Sequence, residues 1–407
     1  MKQSKRAGWF VALLMMLGGC GESTLPAVDQ PERARADGDI AHWQPLPLAP
    51  VPAPEVQALR EQLLGADPTD PRAVKLWWVG VSSFIASMGG HLFLLDAWEP
   101  IGIQAGYVPI TRAQLADLKP EAILIGHGHF DHAADAGEIA ARSGAVLVGG
   151  DSVCAKARER AQQVENAQNF ACVSLGNQNT PGAGSVQQIQ LWSDMPPITV
   201  IQHLHSAADP GDLLAGGRPL LYVPEVLSYL QHLNTDPRVT LRFLGSLADD
   251  GGVGEPQGGT WAYHLRIGDF SLLWHDSAGA LGEDNATAQR MRQAFADLPG
   301  CVDVQLGALV GFGLLTSGLR DPLAYVDVVR PHVTLPNHHD AWLPLLGGGA
   351  AAYEGQWRAA LATLVYPPEL DYLRDPQDYL RARVYAVDDP RWKIPPPGSR
   401  CDPAQNV

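Results

Sequence analysis

The chain has 407 residues, 46% of them hydrophobic, and a formal charge of −15 at pH 7. That composition supplies a large core and excludes a disordered or low-complexity protein. The acidity removes the basic footprint that phosphate-backbone binding needs, so no nucleic acid is expected as a partner.

In chain order, Lys2, Lys5 and Arg6 precede an apolar run from Trp9 to Leu17 that is too short to span a bilayer comfortably. The run closes on Leu17-Gly18-Gly19-Cys20, which resembles a bacterial lipobox. That resemblance implies a signal peptide over 1–19 and lipidation of Cys20; a plain secretory signal or a buried N-terminal helix is the alternative. Removing residues 1–19 takes away three cations and leaves a charge of −18. Gly21 follows the cysteine in place of aspartate, which points to the periplasmic face of the outer membrane. Residues 20–70 are rich in Pro and Ala, and the run Pro45–Pro54 predicts an extended, semi-rigid tether. A short helix is expected around Glu55–Leu64. The remaining residues, 71–407, fit one large α/β domain better than two.

Three consecutive strands are predicted over Val74–Val79, Ser83–Ala86 and His91–Leu95. Thr111 and Gln114 form a capping box for a helix to about Leu118, stopped before Pro120. Strand Ala122–Ile125, helix Ala133–Arg142 ending at Gly144, and strand Ala145–Val148 follow. The same rhythm returns with strand Val302–Leu306, a helix capped by Asp321 with Pro322 in its first turn, and strand His332–Leu335. Such alternation defines an α/β class. Residues 207–259 exceed what a minimal domain needs. They can fold over a site as a lid, with Tyr222, Tyr229 and Trp261 as substrate walls, or pack on the periphery.

Between these elements lies Gly126-His127-Gly128-His129-Phe130-Asp131-His132, with three of the 13 histidines of the chain. An extended segment sends alternate residues to one side, so His127, His129 and Asp131 converge while His132 starts the next turn. Imidazoles and carboxylates presented together suit a divalent transition metal. Apart from Cys20 the cysteines are Cys154, Cys172, Cys301 and Cys401. An even number suits an oxidising compartment, with three connectivities open. The first two flank a helix-like run, Ala155–Ala167, which favours Cys154–Cys172 with Cys301–Cys401; free buried thiols are the alternative.

His-x-His-x-Asp-His after a hydrophobic strand resembles the signature of the metallo-β-lactamase superfamily. Further motifs follow in that family's order: Leu92–Asp96, Gln202-His203-Leu204-His205-Ser206, Phe270–Gly279 with Asp276, and Val333–His339. The resemblance covers roughly Val74 to His339 and implies a four-layer αββα sandwich of α/β (α+β) class. It implies that His127, His129 and His205 bind one metal, that Asp131, His132 and His338 bind a second, and that Asp276 bridges them. His203 remains a rival to His205, and His339 to His338. Asp96 is expected to orient the site. The cofactors implied are two divalent ions, zinc first, with Mn²⁺ or Fe²⁺ tolerated by the same ligands.

The chemistry so implied is hydrolysis by a hydroxide shared between the metals and oriented by Asp131. His275 stands where the family often has glycine; it and His339 are candidates to protonate a leaving group. A bridging aspartate without a ligand cysteine favours phosphodiesters, phosphate-bearing lactones and thioesters over β-lactams. The motif spacing most resembles the branch of ascorbate-6-phosphate lactonases and N-acyl-phosphatidylethanolamine phospholipases D. The expected partners are a small-molecule or lipid-derived substrate and, through Cys20, a membrane. The alternatives are a mononuclear-iron redox member of the same fold and a non-catalytic metal-binding lipoprotein.

Overall fold

Both faces of the central strands are apolar, and the alternation sorts them between two cores. Along 92–95, Phe93 and Leu95 point one way while Leu92 and Leu94 point the other. Along 270–275, Phe270, Leu272 and Trp274 face one core and Leu273 the opposite one. Strands of this kind are stable only when covered on both sides. The computed structural model describes residues 37–40, 43–100, 108–206, 241, 258–309, 319–340, 349–399 and 401–402.

Two sheets result. The first holds β1 (Asp37–Asp39), β2 (Ala73–Gly80), β3 (Ser83–Met88), β4 (His91–Leu95), β5 (Ala122–Leu124), β6 (Val146–Gly149), β7 (Cys172–Ser174) and β15 (Arg383–Ala386), in the order β1-β7-β6-β5-β4-β3-β2-β15. The second holds β8 (Val186–Ile189), β9 (Ile198–His203), β10 (Thr260–Ile267), β11 (Phe270–His275), β12 (Val304–Ala308), β13 (Val333–Asn337) and β14 (Glu369–Leu370), ordered from β14 down to β8. Each sheet begins as an antiparallel meander and continues as parallel strands. The helices are α1 (Pro54–Leu64), α2 (Arg112–Asp117), α3 (Phe130–Ala133), α4 (Ala136–Ser143), α5 (Asp151–Ala161), α6 (Ala286–Ala296), α7 (Arg320–Val329) and α8 (Gly349–Leu361).

The largest core lies between the sheets and includes Trp78, Phe93, Trp192, Trp261, Tyr263 and Trp274. A second packs the first sheet against α2, α4 and α5, and a third packs the other sheet against α6 and α7. The layers are therefore α, β, β, α, as expected from the sequence.

Several local expectations are revised. The helix read over 133–142 is divided into α3 and α4, with Asp135 as the N-cap of the second; its end at Gly144, φ 80°, is as read. Asp321 does not cap α7. It lies inside the first turn and accepts a hydrogen bond from the Gly282 N–H at 3.0 Å. Trp261 is not a substrate wall, because its side chain is fully buried between the sheets. Part of the segment read as a tether is folded: Leu46 pairs with Trp192 and β1 pairs with β7, while α1 is the short helix expected around Glu55–Leu64 and buries Arg60 and Leu64. Almost all of 207–259, including Tyr222 and Tyr229, lies outside the described residues, as does Cys20. Disulfides join Cys154 to Cys172 and Cys301 to Cys401.

Candidate metal centre

The C-terminal ends of β4, β5, β9, β11 and β13 open on one edge of the sandwich, and each is followed within three residues by an acid or a histidine. Open α/β sheets place ligands at such ends. β5 runs into the His127–His132 loop, β9 is followed by His205, β11 by Asp276 and β13 by His338. The two sheets thus contribute to one cluster.

Three groups of potential ligands have their donor atoms within 4.8 Å of one another: His127, His129 and His205; His127, His132 and Asp276; and Asp131, His132 and His338. His127 Nε2 lies 3.1 Å from His129 Nδ1. The Nε2 atoms of His132 and His338 are 3.2 Å apart, and each is 3.4 Å from Asp131 Oδ2. Those edges match the roughly 3.3 Å between two atoms that each sit about 2.0–2.1 Å from one tetrahedral zinc ion. Asp276 lies between the groups, its Oδ2 2.6 Å from His127 Nδ1 and 3.3 Å from His132 Nδ1.

Burial sets the protonation of the cluster. Removal from water holds His127 and His205 neutral, well below the ordinary imidazole range, and takes His129 to about 4. Burial also opposes a charge on His132, but Asp131, Asp96 and Asp276 together overcome it and lift that ring well above its usual value. Burial would raise Asp131, yet the adjacent His132 and His338 hold it well below the usual carboxylate range. Asp96 is pushed up to about 7 by burial and by Asp276.

The donor set fits divalent cations. Asp276 Oδ1 is buried and has no hydrogen-bond partner among the described residues. A buried carboxylate oxygen left without a partner carries a desolvation cost that a cation would relieve. The ligands are imidazole and carboxylate without thiolate, which suits zinc, manganese or ferrous iron.

Glycine at 126 is required by this packing, since a Cβ there would fall 2.0 Å from Asp276 Cγ. Gly279 has the same role on the far side, where a Cβ would meet Leu204 O at 2.2 Å. Asp96 contacts the loop at two points: Oδ1 accepts from Gly126 N–H at 3.0 Å, and Oδ2 is 2.7 Å from His132 Nδ1.

His203 and His275 lie outside the cluster. They project from β9 and β11 towards the helix layer, where His203 Nδ1 meets Tyr325 Oη at 2.9 Å. His275 stacks on Tyr325 at 4.7 Å, with Nδ1 2.8 Å from Ser277 O and Nε2 3.0 Å from Gln305 Nε2. His339 is also turned away, stacked on Trp78 with Nε2 2.8 Å from Leu373 O. Neither His275 nor His339 is placed to protonate a leaving group, and both expectations are withdrawn. Ser82 contacts Asp96, and Val81, held by Asp340, contacts His338. A serine after a glycine-containing turn carries no metal signature, so only the fold reveals them.

Residues 77–227 match the family model described as Metallo-beta-lactamase superfamily. Over that stretch, which holds the His127–His132 loop and His205, the chain is similar to the metallo-β-lactamase superfamily, in keeping with its four layers and edge cluster. Among curated proteins it is 27% identical over 150 residues to a UPF0173 metal-dependent hydrolase of Methanopyrus kandleri, covering 37% of this chain and 56% of the relative. It is 36% identical over 76 residues to a UPF0173 metal-dependent hydrolase of Pyrobaculum neutrophilum, covering 19% of this chain and 32% of that one. The chain thus spans about half or less of the length of these relatives. Among solved structures, Igni18, a metallo hydrolase of Ignicoccus hospitalis, aligns over 77% of this chain and 98% of its own, with 15% identity and a TM-score of 0.47.

Proposed function

We propose that the chain is a two-metal, zinc-loaded hydrolase of an ester, lactone or phosphodiester, anchored to the periplasmic face of the outer membrane through Cys20. The observation that carries the catalytic part is the position of Asp276 between a three-histidine group and the Asp131, His132 and His338 group. In this reading His127, His129 and His205 hold one ion, Asp131, His132 and His338 the other, and Asp276 bridges. The ions supply Lewis acidity towards a carbonyl or phosphoryl oxygen and lower the pKa of water. Asp131, kept ionised by its two histidine neighbours, accepts a hydrogen bond from the attacking water and orients it. Curated relatives named as metal-dependent hydrolases support the reaction class. The two disulfides support an exported protein, since the cytosol keeps thiols reduced. Anchoring favours a lipid-derived or amphiphilic substrate over a nucleic acid, in line with the net charge.

The test is metal content by mass spectrometry on the full chain, with turnover of bis-p-nitrophenyl phosphate, a small lactone and a neutral ester. Near two zinc ions per chain, and turnover lost in Asp131→Ala and Asp276→Ala variants that still fold, is the expected result. One iron per chain with oxygen uptake and no hydrolysis would overturn it. For the anchor, labelled palmitate should enter the wild-type chain and not Cys20→Ala; equal labelling of both removes that part of the proposal.

A further inference from the structure

The β2–β3 turn, Gly80-Val81-Ser82, carries no metal ligand, yet it is tied to two members of one ligand group, His132 and His338. Val81 adopts a left-handed conformation, φ 52°, which is unfavourable for a β-branched residue. Its N–H donates to both carboxylate oxygens of Asp340 at 3.1 and 3.0 Å. Its carbonyl accepts from the His338 N–H at 2.8 Å and from Trp78 Nε1 at 2.9 Å. Tyr379 in turn donates to Asp340 at 2.6 Å. Held in this way, the turn presents the fully buried Ser82 hydroxyl 2.5 Å from Asp96 Oδ2 and 2.8 Å from His132 Nδ1.

From this geometry we infer that Ser82 is a positioning residue for one of the two metals. The hydroxyl donates to Asp96, so its oxygen is left to accept from His132. Nδ1 of His132 therefore faces three acceptors: Asp96, Ser82 and, at 3.3 Å, Asp276. These contacts occupy the Nδ1 edge of the ring and fix its orientation, so that Nε2 is the atom presented to Asp131 and His338. No hydrogen bond links Ser82 to His127, His129 or His205 among the described residues. Ser82 thus serves the Asp131, His132 and His338 group selectively. The strained turn sets the angle of that group through His338 at the same time. The inference rests on the two-metal reading above.

Cobalt titration of the metal-free full chain, followed by the visible absorption of bound Co²⁺, tests it directly. Wild type should fill two sites. Ser82→Ala should fill the first with unchanged affinity and the second about 10–100-fold more weakly, the usual cost of losing such a support, with an altered spectrum for the second ion only. Ser82→Thr, which restores the hydroxyl, should recover both. Ser82→Cys keeps the volume with a weak donor; it should fall between them and serves in place of alanine if that variant does not fold. Equal affinities at both sites in wild type and Ser82→Ala overturn the inference, and so does equal weakening of both sites. Fewer than two ions in wild type overturns the two-metal reading itself, an outcome visible without any variant.

Discussion

At the scale of single residues, the cluster depends on groups that are not ligands. Gly126→Ala adds one carbon at a point 2.0 Å from Asp276 Cγ, with Asp276 Oδ2 at 2.1 Å. Asp276 must move, and it is the group that lies between the two ligand sets. Overpacking of this kind costs about 1–3 kcal/mol. The expected outcome is a folded variant holding fewer metal ions; undiminished metal by mass spectrometry would remove Asp276 from the bridging role. Far from the cluster, Asp303 offers a test by pH. Burial raises its carboxyl to about 7, against the pull of the Ser271 N–H at 2.7 Å. Between the ordinary aspartate value of 3.8 and about 7 the folded state holds a proton that the unfolded state has released. The stabilising contribution is full below that window and is lost as pH rises through 7. Asp303→Asn should therefore lose less stability than wild type between pH 5.5 and 8 in urea unfolding. Parallel profiles would show that Asp303 is ionised throughout.

At the scale of elements, the segment read as a tether has a structural role. Arg60 on α1 is 4% exposed and donates to the carbonyls of Leu118 and Lys119, both at 2.9 Å, at the C-terminal end of α2. Charge-assisted bonds to otherwise unsatisfied helix carbonyls contribute about 1.5–3 kcal/mol each when buried. Arg60→Met should destabilise by about 2–4 kcal/mol in chemical unfolding, where an ordinary tether residue would have no effect. The helix itself was expected around Glu55–Leu64, but its anchoring partner lies 58 residues away, so the sequence did not show what it docks against. Strand parity was better preserved in the sequence. With Phe270, Leu272 and Trp274 facing the inter-sheet core, His275 had to face the helices. Ile198 and Val200 assign His203 to the same side in β9. The ligand loops were legible because metal-binding residue types crowd the ends of strands. Ser82 and Asp340 were not, because their partners come together only when sequence separations of 14 to 259 residues are closed.

At the scale of the whole molecule, the two sheets meet at the cluster. The first sheet sends His127, His129, Asp131 and His132; the second sends His205, Asp276 and His338. A bound ion would therefore add to the hydrogen bonds that already join the layers at that edge, such as His338 N–H to Val81 O and Trp261 N–H to Gly126 O. It would also compensate the buried carboxylates there, of which Asp96 is lifted to about 7 by burial and by Asp276. Any ion that binds only the folded state stabilises it, by about 4 kcal/mol at a thousand times its dissociation constant. For a domain of this size that corresponds to a shift on the order of 10 °C in the thermal midpoint. Chelation followed by dialysis should lower the midpoint by about that much, and zinc should restore it. The loss should be smaller in Asp276→Ala, which has fewer ions to lose, even though that variant removes one carboxylate from the repelling set. If chelation leaves the wild-type midpoint unchanged, the edge is held together without metal, and the cluster is a hydrogen-bonded network that only resembles a metal centre.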